Sequence, residues 1–445
     1  LTLRAGIGLN GNLTIGNGTT VEGDEIRLVA SDGAGGNVSG TILGANGTSV
    51  AYRKPVEPGS SDPVVAPDVF VFEQDADIVQ SNLPSRDRFG DGTGSSLPTT
   101  TGIRSRGVVS LDTLDTLPVT PDTGKLVIGG DGIVISNTAG FAFETTTELR
   151  SDAISLLALD SDEDTRPEIL IDGNAVTFAA HETGDGELDE DDFRVDAMPS
   201  NDSVPETVAI SQDATITGAN LPDDPFDAAG ADRIGNAETK TRYTIASQQG
   251  DVVLDDADRT AVQGTNLTLD APDGAIDLAT SGGNAFEVSA LTIQQPRAQD
   301  FTRPFELIAE ESIFISSGFD GSLDEDDEVV SGDMRFAPGT VLRGNQISLF
   351  ASDTTGTLLE PRPLDDLSVI DFSGLSVLLE GEDSSFVLAQ DGALTDIPNV
   401  TTPLGEPTPV LVSLQSVRSD VSLVEGTAGA LGALNLAEAV QIVAG

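Results

Sequence analysis

A short sequence unit recurs along the chain and constrains its fold more than any other feature. Clear copies begin at Val21, Leu149, Ile171, Val262 and Leu342. They share the pattern apolar-x-Gly/Ser-Asp/Asn/Thr-x-apolar-x-apolar-x-Ala-x-acid, in which x is any residue, and a looser copy spans 308–317. Glycine, Asp and Asn favour a tight turn, and the alternating apolar residues that follow are typical of a strand with one face turned inward. The unit therefore predicts a strand end, a turn and a second strand.

A single unit of this kind cannot bury its apolar face alone, so neighbouring units must stack. Strands stacked about 4.8 Å apart on successive turns form a parallel β-solenoid. The alanine of the pattern marks a crowded inward position near a corner, and the acid that follows returns the chain to solvent. The sequence thus predicts an all-β fold built as a parallel β-solenoid.

The Gly-Asp/Asn-x-Ile-x-Leu-x-Ala core of the unit resembles the repeats of filamentous-haemagglutinin-like bacterial surface proteins. The resemblance covers about half of the chain and implies a right-handed parallel β-helix, the fold of secreted adhesins and extracellular filaments in that family. The spacing of the copies is irregular, which predicts a solenoid decorated by loop insertions. The first strands of the units are expected to begin at Ile26, Ile154, Val176, Leu267, Ile313 and Ile347.

Composition along the chain suggests how the solenoid is organised. We expect a single solenoid over 1–445, with insertions at 55–123 and 185–242, which are rich in Pro and Gly. The apolar segment 428–445 is expected to be a C-terminal cap or a subunit-contact segment. The alternative is two short solenoids joined near 185–242.

Charge and residue usage exclude several classes of function. The chain has 74 acidic and 22 basic side chains, a net charge of −52, no Cys, one His, no Trp and two Tyr. This balance excludes a nucleic-acid-binding surface, which needs clustered Lys and Arg, and the lack of Cys excludes disulfides and thiolate metal sites. No apolar run reaches membrane-spanning length.

Two nearly identical acidic segments are the candidate metal sites. Both read Asp-Gly-x-Leu-Asp-Glu-Asp-Asp and resemble the second half of an EF-hand or dockerin-type calcium loop, although the acids expected at the first and third loop positions are missing. We therefore predict Ca²⁺ as a ligand, and the alternative is a solvated acidic turn that shields strand edges. The predicted ligands are Asp185, Asp189 and Asp192 in the first segment and Asp320, Asp324 and Asp327 in the second.

These observations favour a structural protein that is not an enzyme. The expected function is a subunit or section of an extracellular or cell-surface filament or matrix that assembles head-to-tail, because stacked coils present ends that bind further coils. One alternative is an adhesin whose inserted loops bind a glycan or another cell-surface partner. The other is a polysaccharide lyase or hydrolase on a β-helix, which the scarcity of Trp and Tyr disfavours because sugar clefts present aromatic faces.

Overall fold

The fold is taken from a computed structural model of the chain. It describes residues 1–4, 12–30, 40–56, 63–110, 125–159, 166–179, 205–223, 241–318, 332–351, 367–401, 411–416 and 439–444, apart from gaps at 48, 75, 77, 80–82, 85–87, 92–97, 99, 106–108, 129–131, 138–139, 144–146, 151–152, 172–175, 382 and 395–397. The chain forms two compact units. Unit 1 comprises 1–214 and 219–241, and unit 2 comprises 215–218 and 242–445.

Unit 1 is built from short β-strands. In chain order they are β1 (Thr2–Arg4), β2 (Leu13–Thr14), β3 (Thr20–Glu22), β4 (Glu25–Ala30), β5 (Ile42–Leu43), β6 (Ala51–Arg53), β7 (Val69–Gln74), β8 (Ile78–Val79), β9 (Thr100–Ser105), β10 (Val109–Ser110), β11 (Lys125–Ile128), β12 (Gly132–Asn137), β13 (Phe141–Phe143), β14 (Thr147–Arg150), β15 (Ala153–Ala158), β16 (Ile169–Ile171), β17 (Val176–Ala179) and β18 (Thr207–Gln212).

Unit 2 continues in the same style, with longer strands in its centre. Its strands are β19 (Arg242–Ser247), β20 (Val252–Leu254), β21 (Asn266–Asp270), β22 (Ile276–Leu278), β23 (Phe286–Gln295), β24 (Gln299–Phe301), β25 (Glu306–Ser317), β26 (Met334–Phe336), β27 (Thr340–Ala351), β28 (Ile370–Asp371), β29 (Leu375–Leu379), β30 (Ser385–Gln390), β31 (Asn399–Thr401), β32 (Leu411–Ser416) and β33 (Ala439–Ala444). A one-turn helix, α1, covers Arg259–Val262, and a 3₁₀ turn covers Gly218–Asn220.

Strand pairs within each unit run parallel in the described part of the chain. In unit 1, one long sheet contains β1, β4, β7, β9, β12, β15 and β18, each paired with the next. Shorter sheets join β2 to β5, β3 to β6, β8 through β10 and β13 to β16, and β11 through β14 to β17. Between visits to the long sheet the chain passes through strands of the shorter sheets.

Unit 2 repeats this path. Its long sheet runs from β19 through β21, β23, β25 and β27 to β29 and β30, and then from β30 to β32 and β33. The strands β20 and β22 form one short sheet, and β24, β26 and β28 form another. Each return to the long sheet places the new strand beside the preceding one, so a stretch from one such visit to the next is called a coil below.

The expected inward positions of the repeated unit are buried. The first strand residues Ile26, Ile154, Val176, Leu267, Ile313 and Ile347 are all at most 3% exposed. The four alanines of the unit that the structure describes are buried as well, as predicted for a crowded corner: Ala30, Ala158, Ala271 and Ala351 each have no exposed surface. The mainly parallel all-β character predicted from the repeat is therefore present.

The third copy of the repeat occupies a different place in the coil from the others. Ile26, Ile154, Leu267 and Ile347 lie in long-sheet strands, whereas Val176 lies in β17, which pairs with β14 in a separate sheet. The motif therefore predicts an inward-facing strand but does not specify which sheet that strand joins.

The segments singled out by composition contain strands of the long sheets. Range 55–123 contributes β7 and β9, which pair in register with β4 and β12, and range 185–242 contributes β18. In the C-terminal segment 428–445, Ala439–Ala444 form β33, which pairs with β32.

Candidate functional site

Apolar side chains occupy the inward positions of successive coils. In unit 2 one such column consists of Leu269, Ile293, Ile315, Leu349, Leu388 and Leu414, which face one another across adjacent strands. Each of these side chains is at most 1% exposed. Because this column packs against itself from coil to coil, the side chains that can bind other groups lie at the corners and on the outer faces.

A buried glutamine closes the corner that follows the long sheet. Gln74, Gln212 and Gln390 end β7, β18 and β30 and are at most 2% exposed. Each lies beside the alanine of a repeat unit on the preceding coil, namely Ala30, Ala158 and Ala351. The small alanine leaves room for the longer side chain of its neighbour.

The glutamine amide satisfies backbone groups that the ladder leaves unpaired at this corner. Oε1 of Gln390 accepts the N–H of Ile370 at 2.9 Å, and Nε2 donates to the carbonyl of Ala393 at 2.8 Å. Gln74 accepts from Ile42 at 2.9 Å, and Gln212 accepts from Ile169 at 2.8 Å. In all three cases the strand that donates the N–H belongs to the preceding coil, so the glutamine side chain joins two coils.

This corner was not among the residues predicted from the sequence, although a signal for it exists. Gln-Asp recurs after an alternating apolar stretch at 70–78, 208–216 and 386–394. Asp213 and Asp391 are at most 3% exposed, and their N–H groups donate to the carbonyls of Ala158 and Ala351 at 3.1 Å. The repeated Gln-Asp pair is thus a coil-joining element.

Acidic side chains at other corners also bond to the next coil. Oδ1 of Asp251 accepts the N–H of Ala275 at 2.8 Å, and Oδ1 of Asp333 accepts the N–H of Val369 at 2.9 Å. Asp256 accepts both the N–H and the hydroxyl of Ser281, and chiefly the Ser281 hydroxyl lowers the pKa of this exposed carboxyl. Part of the acidity of the chain therefore holds the backbone together.

Several arginines form ion pairs between coils. Arg303 Nε lies 2.8 Å from Asp277 Oδ2, and Arg297 lies 3.2 Å from Asp273. Arg343 Nε lies 2.8 Å from Glu380 Oε1, and the Glu380 carboxylate raises the pKa of Arg343. Because exposed pairs contribute little stability, their main effect is to position charges along the stack.

One outer face of unit 2 has few charged residues. The central column of this face consists of Thr268, Thr292, Phe314, Ser348, Val387 and Ser413, which are neighbours on successive strands. One flanking column consists of Asn266, Ala290, Ser312, Gln346, Ser385 and Leu411. The other consists of Asp270, Gln294, Ser316, Phe350, Ala389 and Gln415. We call these three columns the charge-poor face, and Asp270 is their one charged residue.

Other outward positions in unit 2 have a different composition. The sheet of β24, β26 and β28 carries Asp300, Arg335 and Asp371 in one row, and β22 carries Asp277. On the charge-poor face, by contrast, Phe314 and Phe350 lie with ring centroids 5.4 Å apart and both are partly exposed. Burial raises the pKa of Asp270, so even its carboxyl is partly removed from water.

The six predicted calcium ligands lie outside the described residues. These are Asp185, Asp189, Asp192, Asp320, Asp324 and Asp327. Within the part of the chain that the structure describes, no group of three His, Cys, Asp or Glu side chains is arranged to hold a metal ion. The calcium prediction therefore stays a prediction of the sequence.

Comparisons with known proteins give no match: no family model, no curated protein and no solved structure is similar to this chain. The resemblance to filamentous-haemagglutinin-like repeats thus rests on the repeated unit alone. Among the described residues, no helix has the length and apolar character needed to cross a membrane.

Proposed function

We propose that the protein is a structural protein whose two units are each wound as a β-helix, right-handed as the repeat resemblance implies. Support for the winding comes from the chain path, because the chain returns repeatedly to a long parallel sheet after passing through shorter parallel sheets. Right-handed crossovers are the rule for parallel strands of one sheet.

The observation that carries the structural role is the use of specialised side chains to bind the adjacent coil. Buried Gln390 bonds to the backbone of the preceding coil, Asp251 and Asp256 bond to the next coil, and Arg303 pairs with an acid one coil away. Side chains committed in this way maintain a continuous stack. A protein of this design acts through its stack and its acidic outer surface, at an extracellular or cell-surface location.

Head-to-tail assembly into a filament or matrix is part of this proposal. Successive coils of unit 2 repeat an apolar-x-apolar pattern on the long sheet, as at Leu388 on β30 and Leu414 on β32. The strand edge of one copy therefore presents the same backbone groups and side-chain pattern that pair with a strand inside each copy. A strand of another copy can pair with that edge in the same way. Such a contact is heterologous and adds copies without closing.

Electron microscopy and sedimentation of the purified chain test the assembly. We expect polymers whose length increases with protein concentration, and with salt because screening weakens the repulsion between chains of net charge −52. Polymers should be absent when copies are capped by a proline in β33, such as Gln441→Pro, which removes a backbone donor from that strand. Failure to form polymers at any concentration or salt would contradict head-to-tail assembly.

Calcium binding by the two acidic segments is proposed as a separate property of the same protein. Thermal unfolding with Ca²⁺ and with a chelator, at one ionic strength, should differ if the folded chain binds the ion. Replacing Asp185, Asp189, Asp192, Asp320, Asp324 and Asp327 by Asn should abolish that difference. Equal unfolding temperatures with and without Ca²⁺ in the unmodified chain would contradict calcium binding and would indicate that both segments are solvated turns.

A further inference from the structure

We propose that the charge-poor face of unit 2 is an interface on which a second copy of this chain packs, face to face. The proposal concerns a face of the sheet, whereas head-to-tail assembly uses strand edges. Either contact can exist without the other, so this inference does not rest on the proposed filament.

The distribution of charge is the first reason for assigning a second copy. A chain of net charge −52 repels its own copies over most of its surface. On the charge-poor face only Asp270 carries a charge, and burial raises the pKa of that carboxyl. Two copies therefore repel each other less when these faces oppose each other than when acidic surfaces meet.

The chemistry of the face is the second reason. Thr268, Thr292, Ser348 and Ser413 carry hydroxyls that both donate and accept hydrogen bonds, and such groups can pair with their own kind across a two-fold axis. The partly exposed ring pair of Phe314 and Phe350 lies within these rows. Aromatic residues are enriched and acidic residues are depleted at the centres of interfaces.

The size of the face agrees with a reversible dimer. The six strands of the face, β21, β23, β25, β27, β30 and β32, lie about 4.8 Å apart and span about 24 Å, and five residues of a strand span about 17 Å, which gives roughly 400 Å² for each copy. Two copies would bury roughly 800 Å², within the range of weak, transient interfaces. We therefore expect a dimer that dissociates on dilution and strengthens as salt screens the remaining acids.

Sedimentation equilibrium of the full chain, at low and high NaCl, tests the inference. The weight-average mass should increase with concentration from 45.9 kDa towards about twice that value, and more readily at high salt. A Phe314→Glu, Phe350→Glu double variant should weaken dimerisation at least about tenfold, because it places acids at the centre of the interface. The control is Leu170→Glu, which changes a side chain that is 47% exposed on β16 of unit 1 and should leave dimerisation unchanged.

Circular dichroism and thermal unfolding of each variant show whether it folds. If the double variant does not fold, Ser348→Glu in the same face changes a small, partly exposed side chain and should weaken the dimer in the same direction. A chain that stays at 45.9 kDa at every concentration and salt would overturn the inference. Association that is the same in the unmodified chain and in the folded face variants would also overturn the inference. If that association also produced polymers of increasing length, it would favour head-to-tail assembly.

Discussion

At the scale of single residues, the buried glutamine is the side chain that most directly joins one coil to another. Replacing Gln390 by Met keeps a similar volume but leaves the buried N–H of Ile370 without its acceptor. We expect the free energy of unfolding to decrease by about 1–3 kcal/mol, the cost of an unsatisfied buried donor. Urea denaturation measures this change.

The matched control for Gln390 is Gln263, an exposed glutamine in the same unit that lies outside the charge-poor face. Gln263→Met should change stability by less than about 0.5 kcal/mol, as is usual for surface substitutions. If both variants were equally stable, the corner amide would have no role in joining the coils.

A second residue-scale prediction concerns Asp270 on the charge-poor face. Burial raises the pKa of this carboxyl in the folded chain, so the protonated form is favoured by folding. The stabilising effect of the protonated carboxyl is therefore complete at pH values below the pKa of this carboxyl in the unfolded chain. It is lost as the pH rises through the pKa of the carboxyl in the folded chain. Its neighbour on β19 is Ala246 and the face position on β23 is Gln294, neither of which titrates.

Asp270→Asn should consequently unfold at a higher temperature than the unmodified chain at pH 7, where the carboxylate is charged. The difference should shrink as the pH falls below the ordinary range of an Asp carboxyl, since both side chains are then neutral. Thermal unfolding across this pH range measures the effect. A variant less stable than the unmodified chain at neutral pH would contradict it.

At the scale of elements, the repeated unit predicts inward-facing strands well and their sheet assignment poorly. Ile26 and Ile347 are buried in long-sheet strands, as expected, but Val176 of the third copy belongs to another sheet. The reason is physical, because alternating apolar residues suit any strand that faces the interior. Which sheet a strand joins depends on the lengths of the turns before it.

The sequence also did not predict that glutamines would be buried at the corners between coils. Gln74, Gln212 and Gln390 have the composition of loop residues, and their burial makes sense only beside an alanine on the preceding coil. That neighbour lies some tens of residues away, at a distance set by loops of variable length. A scan for Gln-Asp after an alternating stretch would have found the three sites.

The turns between short strands depend on close backbone contact from coil to coil. A Cβ added at Gly274 would lie 2.0 Å from the carbonyl oxygen of Gly250 on the preceding coil. Gly274→Ala should therefore push the two coils apart and lower the free energy of unfolding by about 1–3 kcal/mol. Denaturant unfolding measures the loss.

The control for Gly274 is Gly16, where the nearest atom to an added Cβ is Thr19 Oγ1 at 3.8 Å. Gly16→Ala should be neutral or slightly stabilising, since it restricts the unfolded chain without a clash. Equal behaviour of the two variants would mean that the coils are not packed as closely as the turn at Gly274 requires.

At the scale of the whole molecule, the net charge of −52 has two physical consequences. Some acids, such as Asp251 and Asp333, bind the backbone of a neighbouring coil, so they contribute to the fold itself. The acids that have no such role repel other copies, so we expect any association to use surfaces without charge. Composition alone predicted the acidic coat, but the location of the charge-poor face required the strand registers.

The central claim is that unit 2 stacks one parallel strand per coil in register, and distances between spin labels test it most directly. The chain contains no cysteine, so two introduced cysteines are the sole labelling sites. One label replaces Thr268, and the second replaces Val387, Ser413 or Gln441, which occupy the same column on later coils. Diluting the labelled protein with unlabelled protein removes distances between copies.

The account predicts pulsed electron paramagnetic resonance distances of about 19, 24 and 29 Å for the three pairs, since each coil adds about 4.8 Å. The increase should be uniform although the sequence separations are not. Distances that do not rise by one strand spacing per coil, or that are equal for the three pairs, would contradict the stacked arrangement.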